Sequence, residues 1–389
     1  MNVELGILAA LLGAALIMVT LWEGFETIIL PRRVTRELHL SRLFFLLCWQ
    51  IWKATGRTLL VPRRIKETWL SLFGPLFILI MLFVWVSSLV FGFALLHWAV
   101  ALLADIKMTT GAGESFLTFL YLSGTTFFTL GLGDVIPAND LSRFFTAVEA
   151  GMGFGFLALL ISYLPGLNQS FIRREINIVL LDARAGSPPC AAEMLRRHSD
   201  APGLEELRVQ LKEWELWSAE LLESHLTYPV LAYFRSQHDN GSWLGSLAAI
   251  LDTCALLMVG LEGSCARQAK MTFAIARHTV VDLSLIFKRP PHRPTHDRLP
   301  PKTLAKLQNF LMAAGLEVNE GKAAEQKLAE LRQMYEPYLN GLAAYFRINL
   351  PPWIAAEKTM DNWQVSAWER QGDIFLKADR TGGMKSDHW

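Results

Sequence analysis

A chain of 389 residues that is 52% hydrophobic, with a formal net charge of +1, is too apolar for an ordinary soluble protein of its length. The near-neutral charge leaves no basic field of the kind that holds nucleic acid, so no nucleic-acid partner is expected. Cys48, Cys190, Cys254 and Cys265 show no CxxC spacing, which argues for inert buried thiols rather than a zinc site or disulfide framework. The apolar residues crowd 5–30 and 69–164, while the rest has soluble composition; a membrane part with one cytosolic domain follows.

In chain order, the first apolar segment runs from Leu5 to Leu30, uncharged until Glu23 and Glu26. It is long enough to span a bilayer core of about 30 Å. It lacks the basic leading region of a cleaved signal peptide, and its apolar run is too long for one. Residues 31–68 are a basic linker. Within it, Leu43-Phe44-Phe45-Leu46-Leu47-Cys48-Trp49, then Ile51 and Trp52, are too short to span and predict a helix lying in the membrane interface. That helix either anchors passively or pushes on the next span. The second span runs from Trp69 to Ala104 with Pro75 near its start, and the third from Leu141 to Leu164. Pro165-Gly166 is expected to stop the third span; a mark for an inner gate is the other reading.

Orientation follows from the positive charges. Arg32, Arg33, Arg36, Arg42, Lys53, Arg57, Arg63, Arg64 and Lys66 separate the first two spans, and Arg173 and Arg174 follow the third. Only Lys107 lies between the second span and residue 129. The rule places 31–68 and the C-terminal half in the cytoplasm, and the N-terminus and 105–140 outside. Glu23 and Glu26 then sit within reach of Arg32 and Arg33 at the inner interface. A bacterial inner (plasma) membrane is the expected location.

Between the second and third spans, Phe116 to Phe128 is apolar with small hydroxyls, and long enough only to enter the membrane and stop. Thr129-Leu130-Gly131-Leu132-Gly133-Asp134 follows, then Pro137. Alternate glycines reach backbone angles closed to other residues. A ribbon alternating in handedness turns every carbonyl to one side, and rings of such oxygens replace the water shell of a cation. The short helix before it directs its negative C-terminal end toward the cavity below.

These residues resemble the potassium channel pore family, whose filter reads Thr-Val-Gly-Tyr-Gly-Asp between two membrane helices. Thr129, Gly131, Gly133, Asp134 and Pro137 match, Leu130 replaces Val, and the resemblance covers about residues 70–165. It implies permeant K+ ions on rings from Thr129, Leu130, Gly131 and Leu132, with Thr129 innermost and Asp134 at the outer mouth. No resident cofactor is implied. One pore loop per chain requires four chains around one axis. Leu132 stands where the family has Tyr, and Phe128 where it has a second Thr, so the filter has weaker support from behind. A weakly selective monovalent cation channel is therefore one alternative, and a membrane-anchored signalling or scaffold protein with a non-conducting relic pore is another.

The third span would line the inner cavity. Gly151, Gly153 and Gly155 lie within it, and Gly153 falls at the distance from the filter where family inner helices often carry a hinge. Hinge and close packing of small residues are both open readings. Glu149 is costly inside a membrane unless paired or wet. It either faces the cavity and attracts cations, or is protonated or hydrogen-bonded to Thr125 or Thr126 behind the filter.

From about Phe171 the spacing is helical, as in Leu207, Leu211, Trp214, Trp217 and Leu221, or Leu328, Leu331, Tyr335, Leu339, Leu342 and Phe346. Ser246 to Leu261, apolar except for Asp252, is short for a span and reads as a buried core helix. His292 and His296 fall in a Pro-rich, basic loop, which reads as solvated rather than metal-binding. No phosphate-cradling loop, dinucleotide fingerprint or nucleophile elbow is present, so no enzyme is expected. The prediction is an all-α membrane protein with three transmembrane helices, a re-entrant pore helix and selectivity filter, an α-helical cytosolic domain, and a homotetrameric assembly in the lipid bilayer. Its parts are an N-terminal helix (1–30), the linker (31–68), a pore module (69–166) and the cytosolic domain (167–389). That domain assembles the tetramer or binds a ligand or partner that the sequence does not name.

Overall fold

The structure, a computed structural model, describes residues 2–29, 40–58, 63–104, 115–238, 241–260, 263–293, 296–316, 319, 321–355 and 361. Arg32, Arg33, Arg36 and Lys107, on which the orientation partly rests, lie outside them, as does any pairing of Glu23 or Glu26 with the first two. Among the described residues the elements are helical throughout. The chain divides into two compact units, one of residues 1–170 with 226–234, the other of 171–225 with 235–389.

The first unit is built on α1 (Asn2–Gly24), which ends in a wider turn at Phe25–Ile29, α2 (Leu40–Thr58), α3 (Arg63–Ala104), α4 (Phe116–Phe127) and the first part of α5 (Asp140–Ala185). Helices α1, α3 and α5 are each long and apolar enough to cross a membrane. Their outward apolar side chains, among them Leu8, Leu11, Met18, Leu79, Phe83, Phe154 and Ile161, are exposed, a surface that lipid or a neighbouring subunit tolerates and water does not.

Between apolar helices in lipid, close packing replaces the hydrophobic drive, so small residues mark the seams. Helices α1 and α3 cross where Gly13 meets the carbonyl of Gly92; a Cβ on Gly13 would lie 2.7 Å from that oxygen. Gly92 accepts Ile17 in the same way, and Ile17, Leu89, Phe93 and Phe127 bury one another. Farther along the seam Ala9 packs with Leu95 and Ala99. At the other end of α3 the α2 helix is pinned by aromatic rings. Trp52 and Trp69 stack with centroids 4.1 Å apart, and the Trp52 indole donates to the Trp69 carbonyl at 3.0 Å.

The expectation that Pro165-Gly166 ends the third span is corrected: α5 continues through it to Ala185. An interior proline removes one helical hydrogen bond and bends the axis, but it ends a helix only where the following residues do not favour continuing. Here the continuation buries Ile178, Leu181 and Ala185 in the second unit.

The second unit adds α6 (Ala191–Arg197), α7 (Ala201–Thr227), α8 (Trp243–Gly260), α9 (Ser264–Ile286), α10 (Pro301–Ala313), α11 (Lys322–Gln333) and α12 (Glu336–Phe346). Helix α8 is apolar enough to cross a membrane, yet 83% of that stretch is buried inside the fold, as befits the core helix its length suggested. Its lone carboxylate, Asp252, receives Arg298 at 2.6 Å and the Tyr335 hydroxyl at 2.6 Å, and Arg298 in turn meets Glu336 at 3.1 Å. A buried charge survives only with such complete pairing. The stripe from Leu328 to Phe346 is buried as its spacing implied, but it is split between α11 and α12. His292 and His296 are exposed, and Cys190, Cys254 and Cys265 are free and buried, Cys48 partly so.

His225 is wholly buried against the Trp243 ring, with Nδ1 2.8 Å from the Leu221 carbonyl and Nε2 unbonded. Burial, with Arg174 nearby, pulls its pKa from 6.5 to about 3, so the fold favours the neutral ring. Its contribution to stability is complete above 6.5 and is lost as pH falls from there toward 3. We expect about 2 kcal/mol to be lost by about pH 5. In His225→Phe, chemical unfolding of the second unit should show a flatter acid slope; an unchanged slope would assign the loss to another group.

Candidate functional site

The expected pore loop lies between two spans, and its geometry starts with α4. Twelve residues of helix reach about 18 Å, too short to cross a bilayer. One side of α4 is buried: Phe119, Leu122, Ser123, Thr126 and Phe127 face inward. The Ser123 hydroxyl donates to the Val90 carbonyl of α3 at 2.7 Å. Phe116 at the start of α4 packs edge-on against Phe91 and Trp98.

After α4 the chain doubles its backbone bonds back onto the helix end. The Phe128 N–H donates to Gly124 O at 3.2 Å, Thr129 to Thr126 O at 2.9 Å, and Leu130 to Thr125 O at 2.8 Å. The ribbon then alternates. Thr129, Gly131 and Gly133 have φ of +56°, +52° and +78°, whereas Leu130 and Leu132 do not take positive values. Two of the three left-handed positions fall on the glycines, which adopt them without strain. Thr129 does so at a cost of about 1 kcal/mol or more. Every residue from Phe128 to Asp134 is exposed.

Asp134 is not loose at the end of this ribbon. It accepts the Tyr121 hydroxyl of α4 at 2.8 Å and the backbone N–H of Val135 at 3.1 Å. Sequence reasoning missed Tyr121, although a lone phenol in an apolar helix beside an exposed carboxylate was a usable signal. The chain then enters α5, where the Asn139 side chain caps the Ser142 N–H at 2.7 Å, and the Arg143 guanidinium donates to the Pro137 carbonyl at 3.3 Å.

Glu149 is fully buried. Its partners correct the expectation of Thr125 or Thr126: the carboxyl lies against the Ser123 hydroxyl, whose one proton it shares with the Val90 carbonyl, and stands 3.4 Å from His97 Nε2 of α3. Thr125 instead bonds the Leu122 carbonyl within its own helix. Ser123, on the buried side of α4, is the hydroxyl that α5 meets. His97, the one ionisable side chain between Trp69 and Ala104, was visible in the sequence and unused.

The three inner-helix glycines separate. A Cβ on Gly153 would lie 2.1 Å from the Phe127 carbonyl, so α5 presses its bare backbone against the end of α4 there. Gly151 and Gly155 are exposed with nothing near them. Close packing is thus what the structure assigns to Gly153.

A family model described as an ion channel matches residues 79–167, a stretch that takes in most of α3, all of α4 and the ribbon, and α5 as far as Leu167. Over 190 residues the chain is 27% identical to a protein of Bacillus subtilis (strain 168) described as "Uncharacterized membrane protein YdjJ", covering 47% of this chain and 52% of that relative. The chain thus spans about half the length of the curated relative it matches. No solved structure matches it. Together with the apolar helices, the match supports a multi-pass membrane protein carrying an ion-channel pore module.

Because the Gly153 approach is backbone on backbone, Gly153→Ala must drive α5 off α4. We expect a loss of about 1–3 kcal/mol, read as a lower thermal midpoint in detergent. Gly151→Ala should lower it less or not at all. Equal effects would mean that the α4–α5 contact is not the tight seam.

Proposed function

We propose that four copies of the chain surround one axis and conduct K+ passively across a bacterial inner membrane. Each copy contributes a re-entrant α4 and the filter Thr129-Leu130-Gly131-Leu132-Gly133-Asp134. In this reading K+ sheds its water onto carbonyl oxygens of Thr129, Leu130, Gly131 and Leu132. Thr129 adds its hydroxyl at the inner end, and the four Asp134 carboxylates concentrate cations at the outer mouth. The N-terminus lies outside, and residues 167–389 lie in the cytoplasm, where their ligand or partner acts.

The observation that carries the reading is the alternation of left-handed backbone at 129, 131 and 133 directly after a helix too short to span, within the residues that match an ion channel. An alternating ribbon is costly to hold and has one evident use at membrane depth, which is to line a water-filled path with oxygens. A second reading, weak discrimination among monovalent cations, is favoured by Leu132, whose exposed aliphatic side chain has no hydroxyl with which to brace the ribbon.

The test is purified protein in liposomes under a K+ or Na+ gradient. Flux through the native protein, lost in Gly131→Ala and Gly133→Ala, is the expected result. Equal flux in the glycine variants, or none in the native protein, sinks the channel in favour of a scaffold. The reversal potential then measures selectivity.

Glu149→Gln keeps the size of the side chain and an oxygen for Ser123 while removing the carboxyl that faces His97. Conductance or its dependence on pH should change. Currents identical to the native ones across a pH series would show that the pair has no part in conduction.

A further inference from the structure

The two long helices of the membrane unit share a peculiarity: each carries a glycine beside an interior proline. In α3 this is Gly74-Pro75, and in α5 Pro165-Gly166. Proline deprives the carbonyl four residues earlier of its helical donor, and the adjoining glycine loosens the backbone further, so each pair is a flexure. Both flexures are covered by one short segment that comes from far along the chain, Leu226–Phe234, which belongs to the same compact unit.

The fit is at the glycines themselves. The Phe234 ring occupies the notch at Gly74, where a Cβ would come within 2.6 Å of it. The Tyr228 hydroxyl occupies the notch at Gly166, where a Cβ would also come within 2.6 Å. The Tyr228 ring stands edge-on to Tyr163, one turn back on α5, at 5.3 Å. Between these two knobs, Tyr233 is seated among Phe45 and Trp49 of α2 and Phe73 of α3, with ring centroids 4.6, 5.0 and 5.5 Å away. Leu231, Ala232 and Tyr233 are buried. The segment is itself stiff: a tight turn over Pro229–Tyr233 is closed by Leu231 N–H to Tyr228 O at 2.9 Å and Phe234 N–H to Leu231 O at 3.0 Å.

We propose that Tyr228–Phe234 is a clasp that holds the α3 and α5 flexures at a set separation and so controls opening of the inner end of the path. Its two ends run directly into residues 171–225 and 235–389, so a rearrangement there that pulls on Thr227 or Arg235 reaches both flexures through one rigid link. The control of opening rests on the channel reading; the clasp itself does not.

The experiment uses the full chain, with two readouts. Amide hydrogen exchange at 70–78 and 161–168 should become about tenfold faster or more in Phe234→Ala and Tyr228→Ala. In reconstituted single-channel recordings the same variants should shift open probability by about tenfold while leaving unitary conductance unchanged, a split that a general loss of structure would not produce. Tyr228→Phe removes only the hydroxyl on Gly166 and should show both changes in smaller degree; it decides the matter if the alanine variants fail to assemble. Exchange that stays native at both flexures overturns the clasp. Faster exchange with native open probability overturns its control of opening. A native protein that does not conduct sinks the channel reading instead, and the exchange result still decides the clasp.

Discussion

A helix that stops leaves its last carbonyls without helical donors, and the segment after α4 is arranged around that constraint. At the end of α4 the carbonyls of Gly124, Thr125 and Thr126 are taken by the N–H groups of residues 128 to 131. Those bonds force an immediate reversal, which is why the ribbon starts with a left-handed Thr129 despite its strain. The same reversal uses up the early N–H groups of the ribbon on the helix. In this glycine-punctuated, exposed segment the backbone oxygens are left without those donors.

Holding α4 in place falls to its neighbours, and they do so with two kinds of contact. One is steric: Gly153 lets the α5 backbone touch the carbonyl of Phe127, so α5 acts as a wall behind the helix end. The other is polar: the Ser123 hydroxyl, with one proton to give, lies between the α3 carbonyl of Val90 and Glu149, and Glu149 stands against His97. The triad joins α3, α4 and α5 at one point. A buried carboxyl with one hydroxyl and one imidazole is poorly compensated compared with Asp252, which has an arginine and a phenol. That imbalance is tolerable where position matters more than stability. At the far end of the ribbon Tyr121 does the corresponding work for Asp134, so α4 steers both ends of the ribbon that follows it.

What could be read from the residues, and what could not, divides along a physical line. Features that depend on local backbone chemistry were legible: the left-handed glycines at 131 and 133, the helical spacing of the second unit, and the core character of α8 despite its apolar length. Features that depend on the rotational phase of one helix against another were not. Thr125, Thr126 and Ser123 are equally near Glu149 in sequence terms; only the packing of α4 on α3 turns Ser123 inward and leaves Thr125 to its own helix. Gly153 stands apart in the sequence only by its distance from the filter, with hinge and packing both open; that its backbone, unlike Gly151 and Gly155, meets the end of α4 is again a matter of phase. Pro165 was misread because a local rule, that proline ends helices, was applied where burial of Ile178 and Leu181 farther along outweighs one lost hydrogen bond.

Pro75 and Pro165 follow from the same competition. A long helix crossing from lipid into another environment needs no proline, and each proline costs about 3 kcal/mol or more in an unsupported interior. Both are retained beside glycines, and both glycines are filled by side chains of one segment rather than left bare. Packing therefore returns at Gly74 and Gly166 some of the rigidity that the prolines remove. A flexure stiffened by a detachable knob has two states, which a plain helix does not. Because the knobs arrive from residues 228 and 234, those states depend on a part of the chain far from the ribbon, while the ribbon itself answers only to α4 and the wall behind it.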